Sequence, residues 1–493
     1  MAHDSTSTAA DARTMDPALV GLEPASMWRV FGDLARIPRE SGNEAGVRAY
    51  AQDFANKRGF ACEVNEVGDV LLRVNPDAPG PVVGLQAHMD MVCVSRDGAP
   101  YDFAHEPIHL VREGDFIRAE TTSLGADNGI GVAYALALAE EVSGPLEVLL
   151  TVDEEKGFDG IEGVAPGWLQ AKYLINIDSE EEGYFTIASA GARDFRVRLE
   201  AEREPAAAGL AALEVSVDGL KGGHSGVEIH RGRTNALKVL GRVFSAAKAL
   251  GGVVFGLTGG TAPNVIPSAG KGVVGLPATQ LDQFRSELSA LQRELSTRED
   301  PALKLDAAPT TASGLPLTAR ASDRLIGLLD QLPGGVIVAS QLDPTQPFVS
   351  NNLAMARETQ DGRIELTLMS RSPSSAELEK LEATYRGIAE GNGATVEGGR
   401  VVPGWAPNYD SPLLALFQRK YREQYGKDGK VFEIHAGLEC GALQSKYPGM
   451  DLISVGPDIT GVHSPDEKVS IESSRRTYLL VREVIRELHA SKQ

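Results

Sequence analysis

The run V-V-G-L-Q-A at residues 82–87 is an apolar stretch of strand length with no clean polar face. A strand of that kind must be covered on both sides, which points to the middle of a sheet. V-L-L-R-V (70–74), L-E-V-L-L-T-V (146–152) and Y-L-I-N-I (173–177) read the same way. Between two of these runs, G-I-G-V-A-Y-A-L-A-L-A-E-E (129–141) has helix-forming residues throughout. Strands alternating with helices predict an α/β fold with a mainly parallel central sheet flanked by helices.

The middle of the chain changes style. Strand-like 213–220, helix-like 234–250 and 281–295, and a strand, strand, helix, strand set over about 348–402 predict an α+β domain. The first style returns with M-D-L-I-S-V-G (450–456) and a closing helix at 473–488. The expected organisation is a flexible N-terminal tail over 1–20, an α/β domain over 21–194 and 398–493, and an inserted domain over 195–397.

Composition excludes several functions. Asp plus Glu number 68 against 48 Lys plus Arg, a formal charge of -20 that repels nucleic acid and anionic membrane surfaces. No apolar window approaches the length of a membrane span, and the N-terminus lacks the basic and apolar regions of a secretory signal. Cys62, Cys93 and Cys440 are too few and scattered for a disulfide framework, so a cytoplasmic location is expected.

In open α/β sheets, ligands bind beyond the carboxyl ends of the strands. Those ends carry His88 and Asp90, then Asp153, Glu154 and Glu155, then Asp178, and finally His463. Asp127 joins them in the glycine-rich turn before a helix. Singly, each has an ordinary reading: His88 as a core histidine satisfied by Asp90, Asp127 as a helix N-cap, Asp178 as a turn residue, His463 as a loop histidine. Together, two imidazoles and three carboxylates without cysteine suit a pair of borderline divalent ions. Asp127, Glu155 and Asp178 with one bridging hydroxide would balance their four positive charges. The letters H-E-P-I-H (105–109) match a zinc motif that works only on a helix, and Pro107 argues against one.

The blocks H-M-D, L-G-A-D-N-G-I-G, T-V-D-E-E-K-G, I-D-S-E-E-E-G and G-V-H-S-P-D-E, in this order, resemble the co-catalytic zinc peptidases that include carboxypeptidase G2, aminoacylase and carnosinase. Within that group the resemblance is greatest to the aminoacyl-histidine dipeptidases, with G-L-K-G-G-H-S-G (219–226) and I-H-A-G-L-E-C-G (434–441) adding to it. It implies one zinc on His88, Asp127 and Asp178, and a second on His463, Glu155 and the shared Asp127. It makes Asp90 the residue that orients His88, and Glu154 the general base; the residues alone do not choose among Asp153, Glu154 and Glu155. Zinc is the expected metal, with cobalt or manganese as substitutes. The inserted region becomes a lid whose His224, Asn264 and Arg371 bind substrate. Glu439, our own addition, would hold a free amine, with a buried structural carboxylate as its alternative. The expected activity is hydrolysis of unblocked dipeptides, including Xaa-His types such as carnosine. The rivals are an aminoacylase, a tripeptidase or a catalytically silent assembly protein, and a homodimer is compatible with any of them.

Overall fold

The computed structural model describes residues 15–96 and 100–491. Most of the tail expected over 1–20 lies outside the described residues; its described end forms a 3-10 turn, Pro17–Leu19, capped by Asp16, with Leu19 buried. The chain divides into two compact units. The first comprises the residues through Ile187 with Asn408–Phe432 and Ala442–Gln493; the second comprises Ala188–Pro407 with Glu433–Gly441. Glu439 therefore groups with the second unit.

The first unit is built on an eight-stranded sheet in the order Ala61–Val64, Val70–Val74, Leu146–Thr151, Val83–His88, Tyr173–Asn176, Asp451–Ser454, Tyr184–Ser189 and Lys430–Ile434. The central four strands are mutually parallel, while Val70–Val74 joins Leu146–Thr151 antiparallel and Ser454 meets Thr186 antiparallel. Every residue of Val83–His88 and Leu146–Thr151 is buried, as parallel strands covered on both faces require. Polar residues inside this layer pair with one another, although Asn176 Oδ1 is left without a partner among the described residues. Asn176 Nδ2 donates to Gln86 Oε1 at 2.5 Å, and Gln86 Nε2 donates to Thr151 Oγ1 at 3.2 Å.

The helix Ala126–Glu141 comes after the short strands Leu110–Glu113 and Phe116–Ala119, and packs on the His88 strand and on the helix Ala25–Leu34. It is buried almost all round, from Asn128 through Ala139, so its stability comes from the core it fills and not from one amphipathic face. Each fully buried Leu or Ile contributes about 1.5–3 kcal/mol. That burial fixes the helix's N-terminus, which carries Asp127.

The second unit holds a nine-stranded sheet, antiparallel at each pairing, with the order Lys304–Pro309, Leu210–Asp218, Gly270–Pro277, Val253–Gly259, Pro347–Glu358, Arg363–Ser372, Gly191–Glu200 and Ala394–Val402. Gly335–Ala339 adds to Pro347–Glu358. Its helices, Ala236–Ala249, Leu281–Leu295, Ala319–Gln331 and Ser375–Gly391, bury apolar stripes in a separate core.

Candidate functional site

Strand ends and loops of the first unit deliver imidazoles and carboxylates to one place. His88, the buried last residue of its strand, has Nε2 3.1 Å from Asp127 Oδ1 and 3.3 Å from Asp178 Oδ1. His463 Nε2 lies 3.3 Å from Asp127 Oδ2 and 3.0 Å from Glu155 Oε2. The two oxygens of Asp127 thus face two different imidazoles. One donor atom each of His88, Asp127 and Glu155 lies within 4.8 Å of the other two, a spacing open to a metal ion.

The helix start explains how Asp127 reaches both sides. Asp127 (φ -80°, ψ 106°) and Asn128 (φ -112°, ψ 32°) depart from helical backbone, and the peptide between them is cis. Regular helix begins at Gly129, where the helical pattern in the sequence begins. Asp127 is not the N-cap: Asn128 Oδ1 accepts from the Gly131 N–H at 3.1 Å, and Asn128 Nδ2 donates to Asp178 Oδ1 at 2.5 Å. Gly131 is required here, because a Cβ would run into Asn128 Oδ1 and the Ile177 carbonyl.

Asp90 organises what lies around His88. Its Oδ1 is 3.3 Å from His88 Nδ1 and accepts from the Glu154 N–H at 3.1 Å; its Oδ2 accepts from Ser41 Oγ at 2.7 Å and the Glu155 N–H at 3.2 Å. One buried carboxylate thus lies beside the His88 ring and accepts from two successive amides of the turn bearing Glu154 and Glu155. Burial alone would raise its pKa, but His88, Ser41 and the Glu154 N–H hold it at about 2. The same turn begins at Asp153 (φ 55°), and His463 (φ 58°) is likewise left-handed, a conformation that Asp and His tolerate better than most residues.

Carboxylates outnumber cations here, and the titration behaviour records it. Burial, and then the carboxylates of Asp127 and Glu155, push Asp178 up to about 6 against the pull of His88. Hydrogen bonds to Asp127 and Glu155 drive His463 to about 11. His88 is held well above its ordinary value, where Asp178 and Asp127 outweigh the opposing effect of burial. Glu155 Oε1 is buried without a hydrogen-bond partner. Such a set of donors fits divalent cations better than it fits protons.

The second unit places the remaining expected residues as follows. The Ser225 N–H donates to the Asn264 carbonyl at 2.8 Å, and His224 bridges Val265, so His224 and the exposed Asn264 lie on adjoining segments. His224 Nδ1 accepts from the N–H groups of Gly226 (3.2 Å) and Val227 (3.3 Å), which leaves its proton on Nε2. Arg371 is buried near the end of its strand, opposite Ser350, and burial lowers its pKa to about 10. Ser350 Oγ lies 2.7 Å from Nε2 of the buried His435, a residue that sequence reasoning did not single out. Burial, then Arg371, His230 and His224, lower His435 to about 3. Glu439 is buried in the turn before the helix Cys440–Lys446. In the first unit, H-E-P-I-H is not helical, and His105 pairs on the surface with Asp102 at 2.8 Å.

Sequence reasoning also missed Ser41, Asn128, Arg39 and Glu467. Asn128 and Glu467 stand inside the motif blocks without an evident role, whereas Ser41 and Arg39 sit in a stretch with no motif.

The model of peptidase family M20/M25/M40 matches residues 84–487. The chain is 38% identical over 483 residues to the cytosol non-specific dipeptidase of Escherichia coli (strain K12), covering 95% of this chain and 99% of that protein. The crystal structure of aminoacylhistidine dipeptidase from Vibrio alginolyticus superposes with a TM-score of 0.86 at 33% identity, covering 96% of this chain and 98% of that one. A tripeptidase from Staphylococcus aureus shares the fold at 14% identity, with a TM-score of 0.54 over 95% and 100% of the two chains.

Two outcomes are expected. Asp90→Ala should weaken metal binding by roughly 10–100-fold, as loss of a residue supporting a ligand does, in a chelator-competition titration. For His435, whose folded pKa is depressed to about 3, the neutral form is the one the fold accepts. Its contribution is present above the unfolded value near 6.5 and is lost as pH falls toward 3. Lowering the pH from 7 to 4 should therefore cost about 3 kcal/mol through this residue, and unfolding profiles of His435→Gln against pH should lack that component.

Proposed function

The chain belongs to peptidase family M20/M25/M40, and from that membership we propose that it is a metal-dependent dipeptidase acting on unblocked dipeptides, Xaa-His types such as carnosine among them. The names of its relatives from Escherichia coli and Vibrio alginolyticus support the substrate class. The observation that carries the reading is the Asp127 carboxylate between two imidazoles, each also facing a second carboxylate.

In this reading His88, Asp127 and Asp178 hold one ion, and His463, Glu155 and Asp127 the other. Zinc suits these donors, with cobalt or manganese as substitutes. Ions bound by these residues would supply an activated water and Lewis-acid polarisation of the scissile carbonyl. Glu154 takes the proton of the attacking water and returns it to the leaving amine. Asp90 keeps the His88 ring in register and holds Glu154's backbone, so base and ligand keep a fixed relation. We assign residues 195–397, which fall within the second unit, the role of lid. Its Arg371 offers a guanidinium fork to the substrate carboxylate, His224 an Nε2–H to the developing oxyanion, and Asn264 a further hydrogen bond. Glu439 is assigned to the free amine. A cytoplasmic location accords with the name of the Escherichia coli relative and with three cysteines, none of which is in a disulfide. Among the described residues no helix is long and apolar enough to cross a membrane.

Substrates decide the reading: free dipeptides should turn over, while preference for tripeptides or N-acyl amino acids would move the protein to another activity of the group. Glu154→Ala should lower kcat by roughly 10²–10⁴-fold while elemental analysis still finds two metals per chain. A variant that kept most of its kcat would remove Glu154 from the role of base.

A further inference from the structure

Glu467 is buried four residues beyond His463, and its carboxylate touches no imidazole of the site. Its Oε2 accepts from the N–H groups of Leu124 (2.8 Å) and Gly125 (2.9 Å), and its Oε1 from those of Ala126 (2.7 Å) and Asp127 (3.2 Å). Four consecutive amides that the helix cannot satisfy thus close on one anion supplied from 340 or more positions away. Their carbonyl side is held too. Arg39, equally buried, donates from Nη2 to the Gly125 carbonyl and from Nη1 to those of Met89 (3.1 Å) and Asp90 (2.9 Å). Gly125 (φ 69°) admits this approach because a Cβ would collide with the guanidinium.

These bonds join three segments. Arg39 ties the tail of the His88 strand to Gly125, and Glu467 ties the same turn to the loop of His463. That loop, 461–467, spans the hairpin between Ile459–Thr460 and Lys468–Ser470 and is closed by Ser464 Oγ to the Gly461 carbonyl (2.7 Å) and Glu467 N–H to the Ser464 carbonyl (3.2 Å). The His463 side chain is half exposed, so packing does not hold it. The loop is tied at the surface by Arg96 Nη2, which donates to the Pro465 carbonyl (3.0 Å) and Asp466 Oδ1 (2.6 Å), and its buried anchor is its foot at Glu467.

We propose that Arg39 and Glu467 are positioning residues: a buried clamp of opposite charges that sets the spacing of the ligand-bearing segments, with Glu467 seating His463 beside Asp127. The inference rests on the metal-centre reading above. Because Glu467 acts on the His463 side, the ion held by His463 and Glu155 depends on it most.

Titration of the chelated full-length protein with Co²⁺, followed by visible absorbance and by chelator competition at 25 °C, tests this. The wild type should bind two ions. Glu467→Gln should keep one binding step within about threefold of wild type and weaken the other by roughly 10–100-fold, in protein shown by circular dichroism to be folded. A merely structural role would lower the unfolding temperature and leave both affinities within twofold, which would overturn the proposal. If Glu467→Gln does not fold, Arg39→Lys, which keeps the buried charge but not the reach to three carbonyls, is read by the same criterion: at least one step weakened about tenfold supports the clamp, and two unchanged steps overturn it. Failure of the wild type to bind Co²⁺ would instead refute the metal-centre reading.

Discussion

Everything at the candidate site turns on a carboxylate that serves two imidazoles at once. A side chain with that duty has little freedom: rotating to favour His88 would abandon His463. Asp127 meets the requirement through its backbone. It stands where the chain has left the glycine-rich turn and has not yet become helix, so its side chain is directed by a stretch whose four amides are taken by Glu467 and whose Gly125 carbonyl is taken by Arg39. The helix behind it is buried nearly all round, and this converts a flexible loop end into a fixed post.

The sheet supplies the same rigidity to the other ligands. His88 ends a strand buried at every position, flanked in parallel register by the strands that lead to Glu155 and Asp178. Parallel neighbours bring their carboxyl ends to one edge, so residues remote in sequence become neighbours because the topology permits little else. Asp90 then does locally what the sheet does globally. By accepting from two successive amides of the Glu154 turn while facing His88, it makes the position of one segment a condition on the other.

Much of this was legible in the sequence because it depends on local pattern. Fully apolar runs marked the strands of the sheet, 82–87 and 146–152 among the parallel ones, while 70–74 is a strand that pairs antiparallel with both of its neighbours, and polar residues at the parallel ends marked the site. Two kinds of information were not local. The strand order of the second unit is set by pairings between distant segments, which hydrophobic periodicity does not encode. The hydrogen-bond partners of the Asp127 turn come from Arg39 and Glu467, on opposite flanks of the chain, and no spacing rule connects them. Asn128 is an intermediate case: its letter stood beside Asp127, but its capping role appears only once the backbone is seen to depart from helix for two residues.

The loop of His463 lies near the end of the chain. Its hairpin pairs with Phe116–Ala119, and the closing helix Ile471–Ala490 packs against the helix of Asp127. His88, by contrast, lies in the early part of the sequence. The two imidazoles that face Asp127 thus come from positions 375 residues apart, and no short stretch of the chain holds both.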